Sequence, residues 1–265
     1  FPKSTLWHGA TPGRPHSILN ALDPKTHARF RKAMDSGFTE KAVQMQDPIL
    51  QKNVALFIAQ LEKLTLKDTN GAVVNIVRWF SFVGFDLVGD LGFGEPFGCL
   101  KNSELHPWIS TIFASLRAAT LRVSLKFYPS MSWLFGLTIP KSVMQKQIQH
   151  WQLAVEKMNR RLNSEQERPD LISMIKRDEE GIKGITLAEL HATASVLIIA
   201  GSETTVSVLS GTTNYLVKTP QKLATLTSEV RSSFGNEGGM SITALKDLPY
   251  LNAVIQEGLR LCNPT

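Results

Sequence analysis

Apolar positions recur at helical spacing along most of the chain. Phe30, Ala33, Met34 and Phe38 begin one series, and Val43, Leu50, Val54, Phe57, Ile58 and Leu61 carry it on to Leu64, with breaks near Gly37 and at Asp47-Pro48. The pattern predicts two helices, the first opened by Asp23-Pro24. Before them, Gly9, Pro12, Gly13 and Pro15 favour an irregular segment from Pro2 to Pro24. After the turn Asp68-Thr69-Asn70-Gly71, the stretch from Val73 to Leu91 carries Trp79, Phe80, Phe82, Phe85 and Leu87, so it reads as an almost fully buried helix ending at Gly92-Phe93-Gly94-Glu95-Pro96. Further helices are expected from His106 to about Leu125, from Lys141 to Leu162 and near Leu171 to Lys176, separated by Pro129, Gly136, Pro140 and Pro169.

The longest helix opens at Thr186-Leu187-Ala188-Glu189, a capping box in which Thr186 caps the first turn and Glu189 reaches back to it. It runs to about Lys218, where Thr219-Pro220 ends it and caps the next helix; Leu248-Pro249 then introduces a last helix through Leu261. With no internal repeat, no low-complexity tract and no strong strand pair, the fold class is all-α dominated.

Local rules break at the centre of the long helix. Val196, Leu197, Ile198, Ile199, Val206, Val208 and Leu209 surround its circumference, as in a helix inside a large protein. Between them stands Ala200-Gly201-Ser202-Glu203-Thr204-Thr205, where glycine costs about 1 kcal/mol relative to alanine and an unpaired buried carboxylate costs more. One explanation is a close helix crossing at Gly201, with Thr204 bonded back to a preceding carbonyl and Glu203 paired to a base. The other is a shallow concavity: Ala200 and Thr204 lie one turn apart on one face with Gly201 beside them, so a flat ligand can approach with a hydroxyl and an acid adjoining it.

Two other pairs invite attention. On the last helix, Glu257 and Arg260 neighbour each other at i, i+3 beside the apolar stripe Leu251, Val254, Ile255, Gly258 and Leu259, the spacing of an ordinary surface ion pair. Near the start, His27 and Arg31 share a face at i, i+4; both offer directional N–H donors suited to carboxylates, though the same residues also make a plain solvated basic face.

Composition narrows the classes. With 265 residues and 43% hydrophobic content, the chain can bury a sizeable core in one domain or at most two. No uninterrupted run of 18 apolar residues marks a spanning helix, and Phe1-Pro2-Lys3-Ser4 carries no hydrophobic signal core. Cys99 and Cys262 lack partners at metal spacing, so no zinc or iron–sulfur motif is present. The formal charge of +6 suits an acidic partner or an anionic surface; nucleic acid is set aside, because no recognition signature of its binding modules occurs.

Ala200-Gly201-Ser202-Glu203-Thr204-Thr205 resembles the oxygen-activation motif in the I helix of cytochromes P450, Ala/Gly-Gly-x-Asp/Glu-Thr-Thr. Glu257-Gly258-Leu259-Arg260 matches that family's Glu-x-x-Arg pair in the K helix, in the right order downstream. His27-Ala28-Arg29-Phe30-Arg31-Lys32 resembles the C helix of fungal members, and Asp90-Leu91-Gly92-Phe93-Gly94-Glu95-Pro96-Phe97-Gly98-Cys99 the segment after their E helix, with His106-Pro107-Trp108 continuing the likeness. The latter is no nucleotide loop, since Phe97 takes the third glycine position.

The resemblance implies a haem-thiolate monooxygenase of fungal secondary metabolism, hydroxylating a small lipophilic substrate with electrons from NADPH-cytochrome P450 reductase. His27 and Arg31 would bind the haem propionates, Ala200 and Gly201 would border the haem, Glu203 and Thr204 would serve oxygen activation and proton delivery, and Glu257 with Arg260 would form a buried structural pair. Lys25, Arg29 and Lys32 would lie near the face where the reductase docks. Full-length members reside at the endoplasmic reticulum membrane. Residues 1–265 are expected to form a partial domain, from the loop before the C helix through the K helix, with most of the fold's small β-sheets, the membrane anchor and the haem-ligand cysteine loop outside it. Cys262 follows Glu-x-x-Arg too closely to be that ligand, so these residues are expected to be inactive alone; Asn263 also departs from the proline usual after the K helix. A non-catalytic helical remnant that binds a partner through its apolar surface is the alternative.

Overall fold

Caps written into the chain set most element boundaries in the computed structural model, which describes residues 3–9, 15–66, 71–125, 127–128, 141–174, 177–178, 181–182, 184–235 and 239–263. A single turn, α1 (Thr5–His8), falls within the segment expected to be irregular. Helix α2 (Pro24–Met34) starts where the Asp23 carboxylate accepts the Thr26 N–H at 2.8 Å and Pro24 fills the first turn.

A 3₁₀ turn over Asp35–Gly37 leads into α3 (Glu40–Thr65), capped by Thr39. The expected break at Gly37 is therefore realised, but the one at Asp47-Pro48 is not: Pro48 lies inside an unbroken 26-residue helix. Its ring removes one hydrogen bond to the carbonyl of Gln44. Tertiary contacts hold the helix through that point, because Ala42, Gln46, Ile49 and Asn53 are all buried on one face. Gln46 Nε2 donates to Gly37 O at 3.1 Å, and Asn53 Nδ2 donates to Asp90 Oδ2 at 3.0 Å.

Next come α4 (Ile76–Phe93), α5 (Cys99–Asn102), α6 (Pro107–Leu125), α7 (Lys141–Leu162) and α8 (Leu171–Met174). Gly94 ends α4 at φ 74°, where a side chain would be strained; a Cβ there would also stand 2.5 Å from Arg161 Cδ. A two-residue ladder pairs β1 (Arg177–Asp178) with β2 (Gly181–Ile182). The chain closes with α9 (Leu187–Lys218), α10 (Pro220–Ser233), α11 (Ile242–Lys246) and α12 (Pro249–Leu261). Thr219 separates α9 from α10 without capping α10 by its side chain; its hydroxyl donates back to Tyr215 O at 2.7 Å. The predicted helices over Lys141–Leu162, Leu187–Lys218 and Pro249–Leu261 appear with those bounds, and the turn at residues 68–70 lies outside the described residues.

Helix α9 lies most extensively on α4 and also touches α7, α10 and α12. Leu190, Ala194, Ile198, Ser202 and Val206, one every four residues, form its buried ridge. Gly84 of α4 lets that ridge come close: a Cβ there would sit 2.9 Å from Val206 Cγ2. Phe82, Phe85, Trp108, Ile109 and Met158 fill the core alongside. By length and composition α9 could cross a membrane, with a mean hydropathy of 1.5 over its most apolar window. The sequence reading missed this because hydroxyls, Glu203 and glycines interrupt the run. Its packing against four other helices makes it a core helix.

Charged groups tie the lower helices together. Arg161 of α7 donates from Nε to Asp170 Oδ2 at 2.7 Å, and Arg168 Nη2 donates to Asp90 Oδ1. Lys157 donates to Glu95 Oε1 at 2.8 Å.

Candidate functional site

The six residues Ala200–Thr205 occupy mid-α9 with two faces of opposite character. Ser202 and Val206 are buried toward α4, whereas Ala200, Gly201 and Thr205 are exposed. The outward face carries only small side chains, so a flat group can lie against the backbone there.

Both explanations of the motif are partly realised. Thr204 Oγ1 donates to Ala200 O at 2.6 Å, Thr205 Oγ1 to Gly201 O at 3.1 Å and Ser202 Oγ to Ile198 O at 2.6 Å. Gly201 marks a close approach: a Cβ would meet Val88 Cγ2 at 3.0 Å, so a larger residue would press on α4 there. Glu203 is different. Its Oε2 is buried and has no hydrogen-bond partner among the described residues, and burial pushes the carboxyl above the usual carboxylate range. A base paired to it, as the crossing explanation required, is therefore missing there.

On α2, His27 is half-buried and Arg31 exposed, and neither side chain has a hydrogen-bond partner among the described residues. Burial lowers the His27 pKa, and the charges of Lys3 and Arg31 lower it further, so the site is electropositive even before the imidazole takes a proton. Lys3 is itself fixed, its Nζ donating to the carbonyls of Ile18, Leu19 and Ala21. A pair of carboxylates would relieve this field and use the free donors, so the donor set fits a propionate-bearing group.

The Glu257–Arg260 pair forms with both oxygens engaged, Nε to Oε2 and Nη2 to Oε1 at 2.7 Å each. It is exposed, at 55% for Glu257 and 67% for Arg260, because nothing among the described residues packs over it. Among the described residues no hydrogen bond or ion pair joins α2 to residues 200–205; Arg29 links α2 to α9 at Glu189, about three turns toward the helix start.

The two cysteines lie in different settings. Cys99 is fully buried, burial pushes its thiol up to about 12, and its sulfur accepts the His106 N–H at 3.5 Å. Cys262 packs on Gly211, where a Cβ would lie 2.1 Å from its sulfur. Among the described residues no cluster of three His, Cys, Asp or Glu could hold a metal ion.

Comparison with known proteins decides between a shared ancestry and a chance arrangement. The family described as "Cytochrome P450" matches residues 3–265. The chain belongs to the cytochrome P450 family. Cytochrome P450 monooxygenase lcsI of Purpureocillium lilacinum is 37% identical over all of this chain and 51% of that protein. The trichothecene C-15 hydroxylase of Fusarium sporotrichioides is 36% identical over 91% of this chain and 49% of that enzyme. A crystal structure of the cytochrome P450DA haem domain superposes with a TM-score of 0.76 at 16% identity, covering 97% of this chain and 53% of that one. The chain thus spans about half the length of the curated relatives it matches. The likeness to fungal P450s of secondary metabolism, drawn first from the motifs, is confirmed.

In this P450 chain two features escaped sequence reasoning. Arg29, grouped with Lys25 and Lys32 as a docking cation, instead spans to α9 and binds Glu189, its Nη2 donating to Oε1 at 2.6 Å and its Nη1 to Oε2 at 2.9 Å. The only sequence signal was the capping-box glutamate, which has a second oxygen to spare. The hydroxyls of Ser210 and Thr212 are buried without partners among the described residues, and no sequence pattern marked them. Lys25 and Lys32 do remain exposed, on a groove of about 940 Å³ that also includes Ser36 and Thr39. A second cavity, of about 430 Å³, opens between α9, α10 and α12 around Thr212, Tyr215, Tyr250 and Glu257. It lies beyond the motif toward the helix end.

Arg29, first among the causes, holds the Glu189 carboxyl down to about 2 from the ordinary glutamate range. A carboxyl with a depressed folded pKa stabilises above its unfolded pKa, so this contribution is complete above about pH 4.5 and is lost on acidification toward pH 2. The difference in thermal midpoint between wild type and Glu189→Gln should therefore shrink steadily over that range. A difference that persists unchanged at the acid end would contradict the assignment.

Proposed function

We propose that these residues form the distal wall and propionate clamp of a haem-thiolate monooxygenase that hydroxylates a small lipophilic secondary metabolite. Dioxygen, two protons and two electrons from NADPH-cytochrome P450 reductase would be consumed, converting one C–H bond to a hydroxyl group and giving one water. The observation that carries this reading is the open small-residue face at Ala200 and Gly201 beside Thr204 and the unpartnered Glu203 carboxyl. When bound, the thiolate-ligated haem supplies the oxidising chemistry.

The chain's own residues have separate tasks. His27 and Arg31 hold carboxylates through directional N–H donors. Ala200 and Gly201 leave room for a planar group to reach the helix backbone, and Val88 of α4 closes in beside Gly201. Thr204 keeps its proton on Ala200 O, leaving lone pairs open to accept another bond. Glu203, raised by burial, holds a proton closer to neutral pH than an exposed glutamate and can pass it onward. The exposed Lys25 and Lys32 suit an acidic reductase face. Work at the endoplasmic reticulum membrane follows from the same family reading. With Cys99 locked as a thiol in the core and Cys262 wedged on Gly211, these 265 residues by themselves should be catalytically silent.

Absorbance titration with haemin tests both halves of the proposal. The double variant His27→Ala/Arg31→Ala should bind haemin about tenfold more weakly than wild type, the scale of removing groups that orient a metal centre. The reduced, carbon-monoxide-treated chain should lack the thiolate-type Soret band. Unchanged haemin affinity in the double variant would reject the propionate clamp; a thiolate band would reject catalytic silence.

A further inference from the structure

Arg29 sits midway between His27 and Arg31, two residues from each. At 100° per residue it points about 200° away from either, toward the opposite side of α2. There it meets the start of α9. Its Nη1 donates to Gly184 O at 2.7 Å and to Glu189 Oε2 at 2.9 Å, while Nη2 donates to Glu189 Oε1 at 2.6 Å. The same carboxylate accepts the Thr186 N–H at 2.9 Å and the Thr186 hydroxyl at 3.1 Å. One glutamate thus closes the first turn of α9 and grips the middle of α2.

A second tie runs alongside, the Ile18 N–H donating to Thr193 Oγ1 at 3.3 Å. Ile18 precedes α2, so that bond holds the entering chain, and the helix itself is held to the start of α9 by the Arg29 fork. A single hydrogen bond allows a helix to roll about its axis, but a planar guanidinium forked onto a carboxylate has two parallel bonds and resists rolling. Rolling is the motion that matters, since it would swing His27 and Arg31 off a shared target while leaving the helix itself intact.

We propose that Arg29 is a positioning residue whose fork onto Glu189 and Gly184 fixes the rotation of α2, so that His27 and Arg31 face one pair of carboxylates together. The inference rests on the propionate clamp proposed above. It also removes Arg29 from the cations available to an acidic partner, leaving Lys25 and Lys32 for that role.

The test compares two ligands on the full 265-residue chain: haemin, with free propionates, and haemin dimethyl ester, in which both are blocked. Arg29→Ala should weaken haemin binding about tenfold, while leaving the affinity for the ester within about twofold of wild type. Arg29→Lys keeps the charge but not the fork, so it should resemble Arg29→Ala and serves as the milder variant for folding. Equal weakening of both ligands would mean that Arg29 supports the fold generally, and would overturn the proposal. So would haemin affinity at the wild-type level in both Arg29 variants while His27→Ala/Arg31→Ala still weakens it. Should the double variant itself bind haemin normally, the underlying clamp fails instead.

Discussion

Replacing Arg161 with methionine should destabilise the protein by about 3–5 kcal/mol, seen as a large fall in its urea midpoint. The reason is what it would leave behind. Asp170 is completely buried and Arg161 is only 5% exposed, so the pair has already left water. Arg161 supplies two hydrogen bonds to the carboxylate, Nε to Oδ2 at 2.7 Å and Nη2 to Oδ1 at 3.3 Å, and also donates to the Ser173 hydroxyl. Without it, Asp170 would keep the Ser173 N–H at 2.9 Å and a looser Arg168 Nε at 3.7 Å. Arg168 is already committed to Asp90, which in turn takes Asn53. Loosening one member therefore disturbs α3, α4, α7 and α8 at once, and α4 is the bed on which α9 lies. Removing both charges in Arg161→Met/Asp170→Leu should recover most of the loss, because no unpaired charge remains. A single-variant cost below about 1 kcal/mol would show that the pair is not sealed from solvent.

Gly258→Ala should cost about 1–3 kcal/mol by overpacking the seam between α9 and α12. A Cβ on residue 258 would stand 2.1 Å from Thr212 Oγ1, so the hydroxyl or the helix must move. The seam interlocks, since Gly211 of α9 receives Cys262 of α12 just as Gly258 receives Thr212. Deleting the hydroxyl in Thr212→Ala/Gly258→Ala should relieve most of the strain, giving a favourable coupling of about 1 kcal/mol in a double-mutant cycle. Strictly additive losses would refute the interlock. Thr212→Ala alone should be mild, because its hydroxyl has no partner to lose.

Most of the helical frame could be read from local chemistry. The caps at Asp23 and Thr186 and the prolines at Pro24, Pro220 and Pro249 mark starts that depend on neighbouring residues only. Pro48 misled because the features that hold α3 through it, the Gln46 and Asn53 contacts, come from distant residues. The short turns at Thr5–His8, Cys99–Asn102 and Ile242–Lys246 were missed because four or five residues carry no period.

The candidate site divides in the same way. The motif on α9 was visible as a breach of helix propensity, and the His27 and Arg31 pair as a spacing. The role of Arg29 was not visible, since an ion pair 160 residues apart in sequence leaves no local trace. Nor did the sequence distinguish an exposed Glu257–Arg260 pair from a covered one, because solvent access belongs to what packs over a helix.

Helix α9 is held near its first turn by the Arg29 fork and near its last turns by the interlocked glycine seam. Between these anchors, three hydroxyls lean on the carbonyls of residues 198, 200 and 201, which weakens the ladder there. The stretch that would face a bound cofactor thus spends its hydroxyls on its own carbonyls, while the Ser202 and Val206 seat on α4 and the two fastened ends keep the wall in register.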